Sequence, residues 1–203
     1  MATRQELGGP PVEFERAVQQ LRDAPVRPEV VCEQMPAPSR IAPHAYAMSG
    51  DVVISGEDVG TGRIVLLHDP DGNDAWQGTF RLVTFARADV EVEMVTDPML
   101  PEVGWSWLTD ALTGHDARHI AASGSVTTVR SEGFGGMRED GSTAQLEIRA
   151  SWTPVGDAGS LDLGRHVGAW SDLLCGISGL PPLAAGVVAM PNRRGGLARG
   201  QHR

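Results

Sequence analysis

Apolar residues recur along this chain with two periods, and the switches between them lay out its elements. After Pro10 and Pro11, Phe14, Val18 and Leu21 fall at i, i+4 and i+7 among charged and amide residues. That is the stripe of an amphipathic helix, and Pro25 ends it. Val26 to Pro38 reads as a proline-punctuated connection. Strand signals follow at Ile41 to Val53 (poor at its start because of Pro43), at Arg63 to Leu67 and at Gln77 to Val90. Gly60-Thr61-Gly62 predicts a turn between the first two strands. The run His68-Asp69-Pro70-Asp71-Gly72-Asn73-Asp74 predicts one between the second and third, because proline presets φ, glycine supplies positive φ and Asx side chains bond their own backbone. Three strands with short connections make an antiparallel meander.

A second helix follows Asp97-Pro98, with Trp105, Leu108 and Leu112 as its stripe and Gly114 at its end. Arg118 to Arg130 and Thr143 to Thr153 then pair across a glycine-rich loop, Glu132 to Gly141. In the last strand Ala144, Leu146, Ile148, Ala150 and Trp152 face one way, and Gln145, Glu147, Arg149 and Ser151 the other. Leu163, Val167, Trp170, Leu174 and Ile177 mark a third helix. The order α-βββ-α-ββ-α predicts an α+β two-layer sandwich, an antiparallel sheet with helices on one face. Residues 12–183 are expected to form one domain, 1–11 a flexible N-terminus and 184–203 a disordered tail rich in Pro, Gly and Arg.

Composition narrows the function classes. A chain of 203 residues buries enough surface to fold without a disulfide or metal staple, and 41% hydrophobic with 21% charged residues is globular rather than disordered. Every basic residue is arginine, yet the net charge is −9, which argues against a body that binds nucleic acid. Arg193, Arg194, Arg199 and Arg203 give the last residues a local positive charge. No stretch approaches the ~20 apolar residues of a membrane span, and Met1 to Pro11 lacks the apolar centre of a signal peptide. With Cys32 and Cys175 outside any metal-ligand spacing, the expected location is cytoplasmic, without disulfide, cofactor or membrane.

Candidate chemistry has bland explanations. Asp69, Asp71 and Asp74 suggest a calcium loop, but the glycine comes too early and the distal glutamate is missing; a turn accounts for them. His115 and His119 are i, i+4, but Gly114 ends the helix there and no third ligand lies nearby. There is no G-x-S-x-G elbow. Gly133-Phe134-Gly135-Gly136 lies between strands and so lacks the helix N-terminus of a phosphate loop. Glu91 and Glu93 fit a solvated strand end.

His68 to Phe85 (HDPDGNDAWQGTFRLVTF), Leu100 to Leu112 (LPEVGWSWLTDAL) and Ala144 to Pro154 (AQLEIRASWTP) resemble stretches of a family from high-GC Gram-positive bacteria, domain of unknown function 3000. The resemblance covers roughly Phe14 to Leu183 and implies a cytoplasmic protein with no assigned activity and no catalytic residues to carry over. In topology alone, the element order is also similar to that of the small acidic chaperones of type III secretion.

Two function classes remain. One is a non-enzymatic adaptor or chaperone-like module that binds another protein, or a second copy of itself, through the open sheet face. The other is a small-molecule site or enzyme with a pocket between sheet and helices. Along the third strand Phe80, Leu82, Thr84 and Ala86 are expected to meet the helices, leaving Arg81, Val83, Phe85 and Arg87 on the open face; Glu147 and Arg149 of the last strand join them there. An apolar strip with arginine at its ends suits a partner that carries carboxylates.

Overall fold

The computed structural model describes residues 9–156 and 161–182. These form helix α1 (Val12–Asp23), strands β1 (Val30–Met35), β2 (His44–Ile54), β3 (Glu57–Asn73) and β4 (Gly78–Val90), helix α2 (Leu100–Gly114), strands β5 (His119–Glu132) and β6 (Ser142–Pro154), and helix α3 (Leu163–Ile177). The strands make one antiparallel sheet in the order β1-β2-β3-β4-β6-β5. The helices pack on one face of it, so the fold is the expected α+β two-layer sandwich. The tail 184–203 and residues 1–8 lie outside the described residues.

Three details differ from the sequence reading. Of the run His68 to Asp74 expected as a turn, all but Asp74 belongs to β3, and the chain turns over Asp74 to Gln77. The stretch after α1 contains a strand, β1, so the order is α-ββββ-α-ββ-α. Its flanking prolines, Pro28 and Pro36, fit its place at the sheet edge, where one side needs no partner. Gly60-Thr61-Gly62 is not a turn but part of β3; the chain reverses at Ser55-Gly56, whose φ values of 54° and 89° are those of a tight hairpin.

The reason for those strand glycines lies in α3. Gly50 and Gly62 are register partners on β2 and β3, and both face α3. A Cβ on Gly50 would stand 2.7 Å from the Trp170 ring, one on Gly62 would run into Leu174, and one on Gly60 would run into Ser178 Oγ. The glycines form a trough in which α3 rests closer to the sheet than side chains would permit. Leu146, Ile148, Trp152, Val167, Trp170 and Leu174 are buried around it, while Val18 of α1 is half-buried at its margin.

Helix α1 closes one end of this layer. Phe14 lies against His44 and His68, and His68 stacks in turn on Phe80; the last three sit side by side on β2, β3 and β4. The buried His68 bonds the Thr79 carbonyl through Nδ1 (3.1 Å), and its Nε2 stands 3.3 Å from the Glu13 carboxylate.

Alanine is ordinarily better tolerated than glycine in a strand. Gly62→Ala is nonetheless expected to lower stability by about 1–3 kcal/mol through overpacking. Leu174→Ala alone should cost about 2–5 kcal/mol, and the double variant less than the two losses added. Denaturant midpoints of the three variants measure this; strictly additive losses would remove the trough.

Candidate functional site

Side chains alternate along each strand, so the ladder register maps the helix-free face in rows. The central row runs Glu33, Ser49, Arg63, Phe85, Arg149, Ser125 from β1 to β5. On one side of it lies Met35, Ala47, Val65, Val83, Ser151, Ser123, and on the other Val31, Asp51, Thr61, Arg87, Glu147, Thr127.

Phe85 is the centre of this map. The Arg63 guanidinium carbon stands 5.1 Å from its ring centroid and that of Arg149 5.3 Å, from the neighbouring strands on either side. Arg149 also bonds Glu147 on its own strand at 3.3 Å. Among the described residues neither Arg63 nor Arg87 has a carboxylate within ion-pair distance, and both are exposed.

Toward the β3–β4 turn the same face is roofed. Ala47, Val65 and Leu67 are buried in a small second cluster completed by Met35, Ala42, Ala45, Val83 and Trp76. Arg81 lies at this roofed end, only 7% exposed. Its guanidinium donates to Thr153 Oγ1 (3.1 Å), Ser123 Oγ (3.3 Å) and Ser151 Oγ (2.7 Å), and Thr153 in turn donates to the Trp76 carbonyl. Burial holds it below the ordinary arginine value. Of the six residues expected on this face, Val83, Phe85, Arg87, Glu147 and Arg149 therefore line its accessible part, and Arg81 is a pillar beneath the roof.

On the helix side, Trp107 divides two clefts. One of about 630 Å³ lies against Val90, Met94, Ala144 and Ile177; the other, of about 750 Å³, against Asp110, His115, Asp172, Leu180 and Pro181. His115 follows the last turn of α2, and its Nε2 lies 2.7 Å from Asp172 Oδ2 on α3. A Cβ on Gly168 would sit 2.7 Å from His115 Nδ1, so the second ring nitrogen faces the α3 backbone rather than the cleft. The pair clamps α2 to α3. His119 is engaged separately, through Nδ1 to the Ala117 carbonyl. Asp69 accepts the Asp71 N–H inside β3, and Asn73 accepts the Ala75 N–H where the strand enters its turn, so both are held by local Asx bonding. Burial pushes the thiol of Cys32 up to about 11 and that of Cys175 up to about 12, away from reactive thiolate.

A family model described as a protein of unknown function, DUF3000, matches residues 10–188. The chain belongs to the DUF3000 family. No curated protein and no solved structure matches it. The match spans all the described elements of the fold, so the open face and the clefts both lie within the family domain. In this DUF3000 protein two contributors to the face were beyond sequence reasoning. Arg63 alternates with Val65 and Leu67, a signal obscured when Gly60 to Gly62 is taken for a turn. Trp76 lies in the turn itself, and nothing local shows that it folds back over β3.

One buried imidazole gives the domain a pH dependence. Trp152 Nε1 donates to His166 Nδ1 at 3.0 Å, and burial pushes His166 down to about 4 from an ordinary 6.5. Between these values the unfolded chain binds a proton that the folded chain does not, so this contribution to stability rises with pH. It is complete above pH 6.5 and falls by about 3 kcal/mol as pH drops to 4. His166→Phe is expected to flatten that part of the stability–pH curve, whatever it does to stability at pH 7. Urea unfolding at half-unit pH steps measures the slope; an unchanged slope in the variant contradicts the assignment.

Proposed function

We propose that this DUF3000 protein is a non-enzymatic binding module whose open sheet face takes an acidic segment of another protein. The observation that supports this is Phe85 held between Arg63 and Arg149, with Arg63 and Arg87 lacking carboxylate partners among the described residues. A flanking guanidinium contributes roughly 0.5–1 kcal/mol to such a ring at an exposed site. Aromatic and arginine side chains carry most binding energy at protein interfaces, and guanidinium groups bind carboxylates with two parallel bonds. A chain of net charge −9 that exposes arginines beside an aromatic ring has a surface suited to an acidic partner. Acidic Glu33 and Asp51 lie toward β1, so the segment runs over β3, β4 and β6.

The Trp107 clefts support a small-molecule reading less well: the histidine at the edge of the larger one spends Nε2 on Asp172 and turns Nδ1 to the α3 backbone, and among the described residues no histidine lines the other.

Selection of a displayed random decapeptide library on the full chain tests the binding reading. Enriched peptides are expected to carry Asp or Glu next to apolar residues. Phe85→Ala, and Arg63→Glu combined with Arg87→Glu, are expected to weaken them about tenfold or more while leaving the melting temperature within a few degrees. Enrichment without acidic bias, or equal binding by both variants, contradicts the proposal.

A further inference from the structure

We infer that the outer edge of β5 is a self-association surface, through which two copies of this chain pair antiparallel and join their sheets. β5 is a terminal strand, bonded to β6 on one side. From Ile120 to Val129 it holds no charge and no proline, and most of it is exposed. Proteins guard sheet edges with charges, prolines, bulges or short strands, because a bare row of N–H and C=O groups is a template for another strand. The opposite edge is guarded: β1 has six residues, carries Glu33 and lies between Pro28 and Pro36. β5 keeps such devices to its two ends, a bulge between Ile120 and Ser123 with Ala121 at φ 51° at one and the Arg130–Glu132 ion pair at the other. Beyond the bulge, Ser123 to Glu132 runs in unbroken register with β6.

The occupant that fits this edge is a second β5. In a two-fold antiparallel pair, opposed residues have the same parity, so the axis falls on a residue. An axis at Thr127 sets Ser125 opposite Val129, Val126 opposite Thr128 and Gly124 opposite Arg130. No like charges oppose each other, and about eight to ten backbone hydrogen bonds form, the number usual for a whole protein interface. The side chains fit as well. Gly124 is bare because a Cβ there would run into the Arg149 carbonyl and the ring of Trp105 of α2, the latter at 2.7 Å. Arg130 is on that same face of the sheet, in register with the buried Ala144. Across the axis it comes opposite Gly124 and reaches over the partner copy's indole, and the contact is made twice. Arginine over tryptophan is the most favourable cation–π pairing.

Sedimentation equilibrium of the full chain across micromolar concentrations tests this. A mass approaching twice 21.6 kDa is expected. Thr127→Lys places like charges on the axis at an exposed position and should weaken association about tenfold or more. Phe85→Ala should leave it unchanged, which separates this edge from the sheet face. Thr127→Cys should form an intermolecular disulfide with its own copy under mild oxidation, and Val31→Cys on the other edge should not. A monomer at every concentration overturns the proposal. So does a dimer that Thr127→Lys leaves intact and Thr127→Cys fails to cross-link.

Discussion

Helix α3 lies so close to the sheet that three positions beneath it carry no side chain. Gly50, Gly60 and Gly62 line up under Trp170, Leu174 and Ser178, and the rest of the helix layer follows from that contact. Close approach buries both Trp152 and Trp170 completely and lets His115, just past α2, pack against Gly168 of α3. It also commits one sheet face to structure. Most residues facing that way are small or apolar, and Trp152 Nε1 is tied down on His166. Surface free for recognition is left on the other face and at the rims.

That other face is divided along its length. At the β3–β4 end a second, smaller core forms under Trp76, with Arg81 as a buried support bonded to hydroxyl groups of β5 and β6. A buried guanidinium is expensive to desolvate, and the hydroxyl cage offsets part of that cost while fixing β4, β6 and β5 relative to one another. Past this roof the apolar strip continues to Phe85, where arginines from both neighbouring strands take over from the covering loop. Rigid support below and a guanidinium on either side of the ring hold this surface in place, so the proposed partner would need little ordering of it.

The two-layer fold was legible because period-two alternation in Phe80 to Ala86 and Ala144 to Trp152 separates the faces without tertiary information. So was the membership of the open face, since alternation alone puts Val83, Phe85 and Arg87 together. What escaped was set by distant contacts. β1 looks like a loop because its prolines are read locally, whereas an edge strand tolerates them. Gly60 and Gly62 look like a turn, whereas a helix more than a hundred residues later requires them. Arg81 and Arg87 are equivalent by alternation, and only the hydroxyl groups opposite Arg81 and the Trp76 turn above it separate a pillar from a contact residue.

Site-specific photo-cross-linking tests whether Phe85 sits where a protein partner binds. A benzophenone side chain at position 85, irradiated in cells, is predicted to yield a discrete protein adduct whose captured segment is net acidic. The same group at exposed Glu15, on α1, is predicted to yield none. Absence of any adduct at position 85, or the same adduct from both positions, would contradict the account.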